Sequence, residues 1–343
     1  MKKAVILIIL ALMAVAAIVG GRWYRDNKMP NFNGKVELYV TPDTPYEEVL
    51  AELKARAISA KSLVRAFEDK KVSEFFSPGY YVLNASNSSV YAARMLNNGW
   101  QSPVNMTLSG TMRLKGEIAR KIGNQLMIDS VSVRKALDDK DLLNEYGFTP
   151  QNVFALIQPD TYQMYWTATM KDILDSQKKS WDAFWTDDNV AKAKKLGLSK
   201  LEVATLASIV TGESNHAPEM PKIAGVYLNR LRIGMKLQAD PTVAYCFGYK
   251  LNRVLLRHLE VDSEYNTYKY EGLPPGPICV PAREALEAVL NPDYGPGNLY
   301  FCANPDFSGT HVFAKTLAEH GANARAFQTE LNRRAAAKRK AGK

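Results

Sequence analysis

Sulfur and imidazole are scarce in this chain. Cys246, Cys279 and Cys302 are the only cysteines among 343 residues, and His216, His258, His311 and His320 the only histidines. An odd number of thiols with no metal-type pairing implies neither a disulfide framework nor a zinc site, so the thiols are expected to be buried. The histidines show no H-E-x-x-H spacing and no glycine-rich phosphate loop is present, so we expect no metal, nucleotide or other cofactor. His311, two residues before Phe313 in a strand-like run, reads as a packing histidine. Gly212-Glu213-Ser214-Asn215-His216 approaches a nucleophile elbow but lacks its last glycine and follows a helical pattern, which argues against a serine hydrolase. There is no internal repeat, and no low-complexity stretch before the C-terminal tail.

That tail lacks acids. Arg333, Arg334, Lys338, Arg339, Lys340 and Lys343 supply six of the net +9 charges, leaving three for the rest of the chain. It reads as a solvated, frayed end, and second as a weak contact for anionic lipid or polymer; it defines no nucleic-acid surface. With 46% hydrophobic and 10% aromatic residues, the chain has material for two or three folded units. At the other end an uncharged run from Ala4 to Gly21 is just long enough to cross a bilayer as a helix. A signal peptide is the rival, but its apolar region would be shorter. Arg22, Trp23, Tyr24 and Arg25 also suit an interfacial anchor better than a cleavage site. Lys2 and Lys3 on one side and Arg22, Arg25 and Lys28 on the other do not orient it.

The organisation read from the sequence is an anchor over 1–21, a linker over 22–34, a small module over 35–84, a mixed α+β continuation over 85–150, a catalytic domain over 151–332 and the tail over 333–343. In the module, Val36, Leu38 and Val40 alternate with polar-facing residues as in a half-buried strand. Thr44, Pro45 and Glu47 suit a capped helix start, and Tyr46, Val49, Leu50 and Leu53 share one face. A second helix over 60–70 and a returning strand over 78–83 complete a strand-helix-helix-strand order. That order resembles the LysM module, which in many proteins binds N-acetylated glycans; the likeness is topological, and a plain structural module fits as well. Further on, Tyr91, Met95 and Leu96 share a helical face, and a strand is expected near 104–108.

Ser199 and Glu202 form a capping box that opens a helix from Lys200 to about Glu213. Val203, Leu206, Val210 and Glu213 lie on one stripe, so a carboxylate ends an apolar face. Desolvation there and the negative end of the helix dipole both raise its pKa, as a general acid requires. Glu219, just before Pro221, and Asp240, just before Pro241, are candidate second carboxylates that could equally serve as a first-turn acid and a cap. Gln238, Tyr265, Asn266 and Tyr268 are types used to bind sugars, through amide hydrogen bonds and ring faces. The proline-dense stretch from Gly272 to Pro277 reads as a rigid wall or connector.

Ordered blocks from Pro159 to His320 carry a more specific signal. They include Pro159-Asp160-Thr161-Tyr162, Leu206 to Val210 leading into Glu213, Glu219, and Ile223 to Leu231, which holds Asn229. Gly234 to Thr242, Tyr265-Asn266-Thr267-Tyr268, Gly272 to Ile278, His311-Val312-Phe313 and Glu319-His320 follow. Together they resemble the MltG/YceG-like family of endolytic murein transglycosylases. The resemblance implies that Glu213 is the catalytic acid and that Glu219, Asn229, Gln238, Asp240, Tyr265, Asn266 and Tyr268 belong to the substrate site. Two departures stand out. Thr211 occupies the place of a second acid often found two residues before the catalytic one, and Met220 that of an arginine following Glu219.

The expected fold class is therefore α+β, with a single N-terminal transmembrane helix, a LysM-like module and an α+β catalytic domain outside the cytoplasmic membrane. The implied reaction is endolytic cleavage of peptidoglycan between N-acetylmuramic acid and N-acetylglucosamine, leaving anhydromuramyl ends and limiting strand elongation. The implied partners are glycan strands, the membrane and, as candidates, cell-wall synthases, with no nucleic acid. The alternatives are a catalytically silent wall-binding scaffold and a water-using hydrolase that pairs Glu213 with Glu219 or Asp240.

Overall fold

The computed structural model describes Lys2 to Ala341. The chain forms two compact units: the first holds residues 1–106, 125–128 and 162–169, and the second holds 107–124, 129–161 and 170–343.

The first unit begins with α1 (Lys2–Lys28), which is long and apolar enough to cross a membrane. Then come β1 (Val36–Val40), α2 (Tyr46–Arg56), α3 (Ala60–Asp69), α4 (Val72–Phe75), β2 (Gly79–Leu83) and α5 (Ser89–Asn97). β1 and β2 pair antiparallel with Leu38 opposite Tyr81. Val36, Leu38 and Val40 point into a core with Val49, Leu53, Leu63, Phe67, Tyr81 and Leu96, as the alternation requires. α2 starts differently from the expectation. Pro45 takes the N-cap position with no side-chain cap, because the Thr44 hydroxyl is engaged by the Thr41 amide at 2.8 Å. Tyr91 is also not core; it lies exposed on α5 beside Trp100, while Met95 and Leu96 are buried.

The expected linker over 22–34 is in fact helical as far as Lys28. Asp26, buried in the last turn of α1, explains this. It accepts from the Ser62 hydroxyl at 2.5 Å and from Arg65 Nη2 at 2.7 Å and Nε at 3.0 Å, a two-pronged pair that ties α1 to α3. Removing residues 1–24 should therefore leave thermal stability intact. Removing 1–28 should lower it by about 1–3 kcal/mol, the usual scale for a charged hydrogen-bonded partner. Thermal melts of the two truncated proteins check this.

β3 (Pro103–Leu108) and β4 (Asp160–Tyr165) form a two-stranded sheet. The second unit carries α6 (Lys115–Gly123), α7 (Ser130–Ala136), α8 (Lys140–Asn144), α9 (Val153–Leu156), α10 (Met170–Phe184) and α11 (Asp187–Leu196). Its centre is α12 (Lys200–Glu213), against which α13 (Met220–Arg232), α14 (Asp240–Cys246) and α15 (Arg283–Leu290) pack. β5 (Tyr300–Ala303) and β6 (His311–Ala314) form an antiparallel hairpin, followed by α16 (Leu317–Ala341).

α12 opens on the expected box: the Ser199 hydroxyl accepts from the Glu202 amide and the Glu202 carboxylate from the Ser199 amide. Val203 to Val210 are all buried, so the helix is buried all round rather than striped, and only its two ends reach solvent. The basic tail is not frayed over its described part. Ala335, Ala336 and Ala337 favour helix, and Arg333 and Arg334 both pair with Glu330, so α16 continues to Ala341; Gly342 and Lys343 lie outside the described residues. Of the thiols Cys279 is buried, whereas Cys246 and Cys302 are only half-buried.

Candidate active site

Glu213, the last residue of α12, lines a cavity of about 320 Å³ together with Tyr227, Arg230, Gln238, Asp240, Tyr268, Tyr300, Phe301, Leu317 and His320. Four residues singled out from the sequence thus converge: Glu213, Gln238, Asp240 and Tyr268. Four others do not line this cavity. Asn229 is buried and donates to the Asn298 carbonyl at 2.9 Å, fastening α13 to the segment before β5. The Asn266 amide donates to the carbonyls of Leu259 and Val261, both at 2.8 Å, and its oxygen accepts from the Tyr268 amide. Tyr265 packs against Tyr245 with ring centroids 4.5 Å apart and the rings tilted by 37°. Glu219 accepts from the His311 amide at 2.8 Å and from its Nδ1 at 3.1 Å. Both of its oxygens are thereby engaged, and His311 packs as expected. In Glu219, Asn229 and Asn266 the polar groups meet backbone and ring partners that would otherwise be orphaned, whereas the Tyr265 hydroxyl is buried with no hydrogen-bond partner among the described residues.

Burial pushes the Glu213 carboxyl up from its ordinary range to about 7. The Asp240 charge adds to the rise, while a hydrogen bond from Tyr227 and the Arg230 charge oppose it. Glu213 still keeps part of its surface open on the cavity it lines. The Tyr227 hydroxyl, on a ring 1% exposed, donates to Glu213 Oε1 at 2.5 Å. This fixes one carboxyl oxygen and directs the acidic proton to the other. Burial beside Glu213 holds the phenol well above its ordinary pKa, so it stays a donor. Replacing Tyr227 with Phe removes only that bond. Because the bond lowers the Glu213 pKa, Tyr227→Phe should move the alkaline limb of the pH–rate profile upward by a few tenths of a unit or more, with a modest fall in kcat.

The surrounding chain fixes the other lining groups. Asp240 sits in the first turn of α14 and accepts from the Tyr268 hydroxyl at 2.6 Å. The loops bearing these residues are clamped from beneath: the Ala239 amide donates to the Thr267 hydroxyl, which lies 2.9 Å from the buried Thr242 hydroxyl. Gln238 holds a left-handed φ of 48°, a backbone state that costs a non-glycine residue energy and that clusters at functional sites. Gly212 lets α12 and α14 approach; a Cβ there would come within 2.7 Å of the Pro241 ring. Thr211, in place of an acid, donates to the Ala207 carbonyl and accepts from the Ala282 amide at 3.0 Å, so its hydroxyl is spent on packing.

The comparisons with known proteins bear on this arrangement. The sequence pattern of the YceG-like family matches residues 38–326. This chain belongs to the YceG-like family. It is 32% identical over 279 residues to an endolytic murein transglycosylase of Bacillus subtilis, covering 77% of this chain and 76% of that one. It is also 25% identical over 353 aligned positions to one of Streptococcus pneumoniae, covering 92% of this chain and 63% of that one. The crystal structure of a YceG-like protein from Listeria monocytogenes is 26% identical, with a TM-score of 0.54 over 84% of this chain and 98% of that one. The YceG-like match contains every residue of the cavity, from Glu213 to His320.

Tyr227, Arg230, Tyr300, Phe301, Leu317 and His320 are the lining residues that the sequence did not assign to a site. Tyr227 falls at helical spacing with Ile223 and Leu231, the pattern of a packed face of α13. Its signal was the hydroxyl itself, since a tyrosine on a buried stripe must find a partner.

Proposed function

We propose that this YceG-like protein is an endolytic lytic transglycosylase that cleaves peptidoglycan strands with Glu213 as its acid. The observation that carries the reading is one carboxyl, Glu213, poised near pH 7 by burial, oriented by Tyr227 and open to a cavity lined with rings and the Gln238 amide. Glu213 gives its proton to the glycosidic oxygen leaving N-acetylmuramic acid. The carboxylate that remains then takes the proton of the sugar's own hydroxyl as that oxygen closes on the anomeric carbon. Proton and electron pairs balance with no water consumed and no enzyme nucleophile. Tyr268, Tyr300 and Phe301 offer ring faces, and Gln238 offers an amide, to hold sugars on either side. The naming of the bacterial relatives as murein transglycosylases supports the substrate class.

In this reading α1 anchors the chain, the catalytic unit works outside the cytoplasmic membrane where glycan lies, and mid-strand cutting limits strand elongation beside the synthases. The strand-helix-helix-strand segment over 35–84 would act as a LysM-like glycan holder, with the stacked and exposed Tyr39 ring its most available face. A second reading has one observation in its favour. Asp240 shares the cavity with Glu213, so it could serve as base for a water-using hydrolase. The test of the endolytic activity is digestion of long uncross-linked strands followed over time. Mid-strand cutting yields intermediate lengths from the outset, whereas early release of disaccharides alone, or no cleavage, contradicts it.

A further inference from the structure

The second unit holds another cleft, of about 560 Å³, on the far side of the end of α12. Thr211 and Asn215 line it, whereas Glu213 lines the active-site cavity. Residues two apart on a helix point nearly oppositely, so the end of α12 separates the two spaces. Their chemistry differs. The cavity around Glu213 presents rings and the Gln238 amide, suited to neutral sugars, beside Arg230, which is bonded to the Leu237 and Leu299 carbonyls, and Asp240, which is bonded to the Tyr268 hydroxyl. The larger cleft presents the cation Arg283 and the acids Asp160 and Glu284, all exposed, together with the hydroxyls of Thr107 and Thr161, which are paired at 2.9 Å. Phe184 lies under the Arg283 guanidinium at 5.2 Å, and Glu287 takes its Nε at 3.3 Å, which orients the cation.

We propose that this cleft binds the stem peptide carried by the substrate's muramic acid; the inference rests on the transglycosylase reading above. Sugar rings of murein carry hydroxyl and acetamido groups, whereas its charges lie on the peptide, as carboxylates and an amine. Arg283 matches a carboxylate, and Asp160 and Glu284 match an amine. Reach is sufficient: a stem of about five residues spans up to about 18 Å extended, while a helix with its side chains is about 10–12 Å across. A peptide whose lactyl end sits beside Glu213 can therefore pass the end of α12 at Asn215 and lie in the cleft. Its volume falls within the range of about 300–1,000 Å³ usual for ligand sites.

The test uses the full chain on uncross-linked glycan strands with their stem peptides, and on the same strands after enzymatic removal of the stems. The quantity read is the ratio of kcat/KM on the two substrates. The wild type should favour the stem-bearing strands about tenfold. In Arg283→Ala, and separately in Glu284→Ala, that ratio should fall towards one, with melting curves confirming that both variants are folded. A ratio unchanged from wild type in both variants would overturn the proposal. Failure of the wild type to cleave either substrate would overturn the transglycosylase reading, and the peptide site with it.

Discussion

Glu213→Gln should reduce strand cleavage at least 1,000-fold, since in the proposed mechanism one residue supplies both the acid and, once deprotonated, the base, each worth about 10²–10⁴ in rate. The fold should gain rather than suffer. In the native chain the carboxyl is held near 7, above the ordinary 4.5. A group whose folded pKa is raised contributes stability that is fully present below about 4.5 and is lost as pH rises through about 7. Glutamine is the permanent neutral form and can still accept from Tyr227. The variant should therefore melt with wild type at pH 4.5 and above it at pH 8, by on the order of 2–4 °C for each kcal/mol recovered. Loss of activity together with a pH-dependent gain in Tm distinguishes an acid held neutral by burial from a carboxylate that merely packs. Activity at wild-type level in Glu213→Gln would remove Glu213 from the chemistry.

The second large effect is expected at Arg230, which is 7% exposed. Its Nε donates to the Leu299 carbonyl at 2.7 Å and Nη1 to the Leu237 carbonyl at 2.6 Å, with the guanidinium 5.3 Å above the Tyr300 ring. One side chain thus joins α13 to the residue before β5 and to the loop that presents Gln238. Arg230→Met keeps much of the volume but orphans two carbonyls, each costing about 1–3 kcal/mol when buried. A fall in Tm on the order of 10 °C is expected. Activity should drop about 10–100-fold as Gln238 and Tyr300 lose their setting. Because the Arg230 charge lowers the Glu213 pKa, the residual activity should persist to higher pH than in wild type. Arg230→Lys should rescue little, since a single ammonium lacks the fork that meets both carbonyls. Melting curves and pH–rate profiles of the two variants check this.

The sequence carried the local part of this architecture. Alternation marked β1, the serine–glutamate box marked the start of α12, and a carboxylate ending an apolar run marked Glu213, because each is set by residues within a few positions. What it could not convey is which polar group turns inward. Asn229 and Asn266 look like sugar ligands, yet backbone carbonyls left open by loops claim them. Tyr227 looks like core, yet its hydroxyl meets a residue 14 positions earlier across two packed helices. Glu219 looks like a second acid, yet it meets His311, 92 positions later. Such pairings depend on tertiary packing, which residue spacing does not encode.

The central claim is that Glu213 works without an attacking water, although Asp240 stands in the same cavity. Digestion of sealed glycan strands in ¹⁸O-labelled water, with mass spectrometry of the new ends, tests it most directly. The sugar's internal hydroxyl is favoured over water by its effective concentration, and unlabelled anhydromuramyl ends are the predicted result. Reducing muramyl ends carrying the label would contradict the account and assign Asp240 the role of base in a hydrolase.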